Sequence, residues 1–143
     1  MIMKKRLIAV LLMCIILNGC ESGADLVSLK QPVDEIQCIE LLYCDREGDT
    51  VLYTLSADEI SDFAAALSRL RVYKHWSPSG TYGYYAAHIY YLNDDIEIIG
   101  TDACSYYTSS ADEVEYDGWH YVNYDELYEL FAQYADRKEM REH

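Results

Sequence analysis

Two prolines and seven glycines in 143 residues are too few for a collagen-like or a Pro/Gly-rich disordered chain. With 51% hydrophobic residues, the composition is that of one globular domain. Positive charge is scarce: 11 Lys and Arg stand against 25 Asp and Glu, a formal net charge of -14. Such a surface repels a phosphate backbone, which excludes nucleic acid as a default partner. The chain has no phosphate-binding loop. Ser77-Pro78-Ser79-Gly80 lacks the flanking glycines of a nucleophile elbow. His75, His88, His120 and His143 each stand without a second His or Cys at zinc-ligand spacing. The sequence therefore points to no catalytic residue, no metal ligand and no cofactor.

One long apolar run exists, and it is short for a membrane span. Lys4, Lys5 and Arg6 precede residues 7–17, which are apolar without a break. As a helix that run covers about 16 Å, whereas crossing hydrocarbon takes about 20 residues. A basic n-region followed by a short apolar region makes residues 1–19 a signal peptide rather than an anchor. The run ends in Leu17-Asn18-Gly19-Cys20, which resembles the lipobox of bacterial lipoproteins. That resemblance covers roughly the first twenty residues. It implies that cleavage precedes Cys20 once its thiol carries a diacylglycerol, so that Cys20 anchors the protein to a bacterial membrane outside the cytoplasm. Each buried CH₂ adds about 0.8 kcal/mol, so several acyl chains hold a small domain firmly. The mature chain would lose three basic residues and no acidic one, leaving 8 against 25. Residues 20–33 show no sustained period and contain Pro32, and are read as a tether to a single domain over residues 34–143.

Within that domain, residues 34–44 and 50–55 are β-rich runs around a turn cluster with Gly48, which predicts a hairpin. Ser56-Ala57-Asp58-Glu59 is a capping box, followed by Ile60, Phe63, Ala64, Leu67 and Leu70 at helical spacing. Residues 72–83 contain Pro78 and Gly80 and read as a loop. Residues 84–92 and 96–100 form a second hairpin, and 103–107 a further strand. Residues 108–118 read as an acidic loop, 119–122 as a short edge strand. Asn123-Tyr124-Asp125-Glu126 caps a second helix striped by Leu127, Leu130, Phe131 and Tyr134. The expected class is α+β in two layers: a mainly antiparallel sheet, order β-β-α-β-β-β-(β)-α, with both amphipathic helices on one face.

The remaining motifs are weaker. Residues 113–118 alternate acids before a glycine, as in the first half of a calcium loop. Two of those acids are Glu, and Tyr124 fills the position that should offer a bidentate Glu, so a solvated loop is the better expectation. Of five cysteines, Cys14 leaves with the signal peptide and Cys20 is the lipid site. Cys38 and Cys44, six residues apart on one strand, are about 20 Å apart and cannot pair. Cys104 could bridge to either, or all three are small buried hydrophobes.

Tyrosine is in surplus, 15 against two Phe and two Trp, and Tyr82, Tyr84, Tyr85, Tyr90, Tyr91, Tyr106 and Tyr107 cluster in and before the central strands. Side chains alternate along a strand, so Tyr84, Ala86, His88 and Tyr90 share one face and Tyr85, Ala87, Ile89 and Tyr91 the other. Ala87 and Ile89 are the more core-like pair. This assigns the even set outward and makes Tyr84, His88 and Tyr90 a contact surface for a protein or glycan. Two functions are open: a lipid-anchored, non-catalytic binding module, or a cell-envelope hydrolase whose site has no sequence signature.

Overall fold

The computed structural model describes residues 25–75, 83–102, 105–108 and 113–140. The expected signal peptide, Cys20, the segment 77–80, Tyr82, Cys104 and His143 lie outside the described residues. Strand β1 (Ile36–Asp45) follows a 3-10 turn at Val33–Glu35 and turns back into β2 (Gly48–Thr54). The turn needs a left-handed residue, and Gly48 supplies it at φ +126°. Helix α1 (Ala57–Leu67) follows Ser56, whose backbone N–H donates to the Glu59 carboxylate at 2.8 Å. It ends one turn earlier than the apolar spacing suggests: beyond the Ser68 N–H, which still bonds the Ala64 carbonyl, the Arg69 and Leu70 N–H groups turn to the Ala66 and Leu67 carbonyls in 3-10 fashion. Then come β3 (Val72–His75), β4 (Tyr84–Tyr91), β5 (Ile96–Gly100), β6 (Ser105–Thr108), β7 (Glu113–Val122) and helix α2 (Tyr124–Phe131), capped by Asn123 Oδ1 accepting the Glu126 N–H at 3.1 Å.

All strands join one seven-stranded antiparallel sheet in the order β2-β1-β4-β5-β6-β7-β3, and the fold is α+β as expected. Two expected loops are strands. Residues 72–75 pair with β7 as an edge strand, Val72 opposite Val122 and Lys74 opposite His120. Four residues, of which Tyr73 and Lys74 are exposed neighbours, carry too little alternation to show in the sequence, and an edge lysine is the usual guard against further pairing. The acidic segment lies within β7, where Glu113 and Glu115 pair with Thr108 and Tyr106. Cross-strand hydrogen bonds there outweigh the poor β-propensity of the acids. An extended backbone does not wrap an ion, which removes the calcium-loop geometry at 113–118.

Both helices lie on one face. Ile39, Leu41, Tyr43, Tyr85, Ala87, Ile89, Tyr91 and Ile99 bury against Phe63, Leu67, Leu127, Leu130 and Phe131. Tyr85 is the hub, its ring 5.1 Å from Tyr43, 5.4 Å from Tyr124, 5.7 Å from Tyr128 and 5.8 Å from Phe131. The tyrosines thus do more than line a half-wet surface, since Tyr85 and Tyr91 are fully buried. Burial pushes the Tyr85 hydroxyl well above the ordinary phenol range.

The described part of the expected tether packs on the sheet. Val27 is buried in the core, its N–H donating to the Leu70 carbonyl, and the Asp25 carbonyl accepts the Val72 N–H at 2.8 Å. Further along, the Lys30 N–H donates at 3.0 Å to Glu97, which also accepts the Tyr91 hydroxyl at 2.5 Å. Gln31 Nε2 donates to Asp95 at 2.8 Å, and the Tyr107 hydroxyl donates to the same carboxylate oxygen. Glu97 has no solvent exposure, so donors of this kind are a condition of folding rather than decoration.

Phe63, fully buried and 6.2 Å from the Phe131 ring, should cost about 3–5 kcal/mol on truncation to Ala. Denaturant unfolding reads this directly, and an unchanged midpoint would contradict the packing. Tyr91→Phe keeps the ring and removes one donor from a buried carboxylate, so it should destabilise by about 1–3 kcal/mol in the same assay.

Candidate functional site

The helix-free face of the sheet carries Cys38, Glu40, Leu42 and Cys44 from β1 beside Tyr90, His88, Ala86 and Tyr84 from β4, paired across in that order. Asp49 and Val51 of β2 stand opposite Cys44 and Leu42, while Ile96 and Ile98 of β5 stand opposite Tyr90 and His88. The outward assignment of Tyr84, His88 and Tyr90 therefore agrees with the fold: all three are half-buried on the face away from the helices. Their neighbours Leu42, Cys44, Ala86 and Ile98 form a second small apolar cluster, edged by Tyr84 and Ile96. The face is a shallow apolar floor with polar and aromatic groups standing on it.

Polar contacts fix those groups. The Tyr90 hydroxyl donates to Glu40 Oε2 at 2.9 Å, and the His88 ring meets the Tyr90 ring edge-on at 6.4 Å. Burial holds His88 below the ordinary imidazole range, against the opposite pull of Asp49 and Glu40. Burial, and then the Glu40 charge, raise the Cys38 thiol. Among the described residues, Cys38 and Cys44 are not bridged to each other, in keeping with their separation along one strand.

The fold adds residues that sequence reasoning missed. One ligand-type atom each from Cys44, Asp49 and His88 lie within 4.8 Å of one another. These positions are five and thirty-nine residues apart in sequence and share no motif spacing. They meet because β2, β1 and β4 are adjacent and because Asp49, expected in the turn cluster, is already a strand residue paired with Cys44. Strand alternation alone would have placed Cys44 and Glu40 on one face, but the pairing partner of β1 is not written in its own sequence.

A separate cavity of about 180 Å³ lies where the N-terminal segment crosses the sheet, lined by Asp25, Ser28, Lys30, Ser105 and His120 among apolar residues. Ser105 pairs with His120 across β6 and β7, and the Ser105 hydroxyl accepts the Gly100 N–H at 3.2 Å. The volume is below the roughly 300–1,000 Å³ of ordinary small-molecule sites. Among the described residues, no helix is long and apolar enough to cross a membrane. In comparisons with known proteins, the chain matches no family model, no curated protein and no solved structure.

Proposed function

We propose that the protein is a lipid-anchored, extracytoplasmic binding module that presents the helix-free sheet face to a protein or glycan of the cell envelope. The observation that carries the binding half is the face itself. Tyr84, His88 and Tyr90 stand half-exposed over an apolar floor, and rigid aromatics of this kind supply contact area at low entropic cost. The anchoring half rests on the basic and apolar pattern ending in Leu17-Asn18-Gly19-Cys20. Since Asp25 is already bound to the sheet, the five residue steps from Cys20 to Asp25 reach at most about 18 Å. Anchored this way, the domain sits near the bilayer, and its strong negative charge keeps it upright over anionic headgroups instead of flat on them.

The second reading, an envelope hydrolase, is favoured by one observation only: Ser105 and His120 share the small cavity beneath the N-terminal segment. Ser105→Ala should abolish any esterase or peptidase turnover of the purified chain if that reading holds, and leave it untouched if the turnover is a contaminant's.

Two experiments test the first reading. Cys20→Ala should leave an uncut precursor that incorporates no labelled fatty acid, while the wild type partitions into the detergent phase. Wild-type chain in the aqueous phase would rule out the anchor. On the binding half, truncating Tyr90 to Ala should weaken binding to purified peptidoglycan or to an envelope-protein array by about 1–4 kcal/mol. Its effect on stability should be well below the roughly 3–5 kcal/mol expected for Tyr85→Ala on the helix side. Equal destabilisation by the two would mean that the Tyr90 face is covered.

A further inference from the structure

We infer that Cys44, Asp49 and His88 form a binding site for a borderline-soft divalent transition metal, zinc above all. A thiol, an imidazole and a carboxylate are the donor types that zinc takes, and here three adjacent strands deliver one each to a single point on the open face. Tetrahedral bonds of about 2.0–2.3 Å set ligand atoms roughly 3.3–3.7 Å apart. The observed spread, within 4.8 Å, closes by side-chain rotation of about an ångström. Asp49 is exposed and can swing, whereas Cys44 is 3% exposed and held by the floor of the face. One buried donor, one half-buried and one exposed suit a site that closes on its ion. Glu40, one of the two acids acting on His88, adds negative potential from outside the donor set.

The binding step balances simply. The Cys44 thiol gives up its proton to solvent and binds as thiolate, the His88 ring binds through a neutral nitrogen, and Asp49 binds as carboxylate. The two anionic ligands cancel the charge of the divalent ion, and three protein ligands leave a fourth position for water or for a donor atom of a bound partner. The competing account is that Asp49 merely faces His88 while Cys44 fills the apolar floor. The two accounts differ in whether the thiol ever touches a metal.

Cobalt(II) reads that contact. The full chain, reduced and in detergent, is titrated with Co²⁺, and thiolate coordination gives a near-ultraviolet charge-transfer band that Zn²⁺ should displace. Cys44→Ser should abolish the band, and His88→Gln and Asp49→Asn should each weaken Co²⁺ binding at least tenfold. Cys38→Ser, on the same strand, should leave it intact. A wild type without the band overturns the inference, as does a band that survives Cys44→Ser or binding unchanged in His88→Gln. Should Cys44→Ser fail to fold by circular dichroism, His88→Gln at its half-buried position decides between the two accounts, together with a zinc-induced rise in melting temperature that the wild type shows and His88→Gln lacks. No partner enters the assay, so the metal site and the partner-binding reading of the same face stand or fall separately.

Discussion

The hydrogen bond from a tyrosine hydroxyl to a carboxylate is the interaction on which this fold depends. Acids outnumber bases by more than two to one, so most carboxylates cannot find a cation, and any that the sheet buries must be satisfied by neutral donors. Tyrosine supplies them: Tyr91 to Glu97, Tyr107 to Asp95, Tyr90 to Glu40 and Tyr53 to Glu59. The surpluses of tyrosine and of acid are thus one design, since a phenol packs like phenylalanine and still offers a proton at its tip. The surface ion pair between Arg137 and Glu129 is more than half exposed on both sides and adds little by comparison.

The same pairing explains how the N-terminal segment is held. Lys30 contributes its backbone N–H and Gln31 its side-chain amide to the two buried acids of the β4–β5 hairpin. Neither donor carries a charge. Glu97, opposite Ile89 on the helix side of the central strands, and Asp95 in the β4–β5 turn are both buried; the segment that reaches them also carries Val27 into the core, so residues with no periodicity of their own become part of it. The cost of stranding a buried carboxylate, rather than any local propensity, orders that segment.

The sequence is most legible where structure is local. Capping residues Ser56 and Asn123, the apolar stripes behind them, Gly48 in its turn and the two-residue alternation of β4 all appear where the spacing predicts. The division of β4 into two faces is equally local, since Ala87 and Ile89 bury under the helices and His88 does not. What the sequence hides is non-local. Strand β3 is four residues long, and strand β7 is rich in acids; each exists because a neighbour satisfies its backbone, and that neighbour is about fifty residues away for β3. The tyrosine surplus is visible but its division is not, because an isolated tyrosine looks the same whether its hydroxyl meets water or a buried carboxylate.

The candidate site lies at the meeting point of these two kinds of information. Tyr84, His88 and Tyr90 are readable because alternation within one strand is enough to group them. Cys44 and Asp49 are not, because they join His88 only through the β2-β1-β4 order. The register between β1 and β4 is therefore what turns scattered residues into a surface. A slip by one residue would send Cys44 and His88 to opposite faces and drive Glu40 into the apolar core under α1. Tyr85 and Ile89, buried in the core on the other side of β4, oppose that slip, so the packing that stabilises the fold is also what keeps the open face assembled.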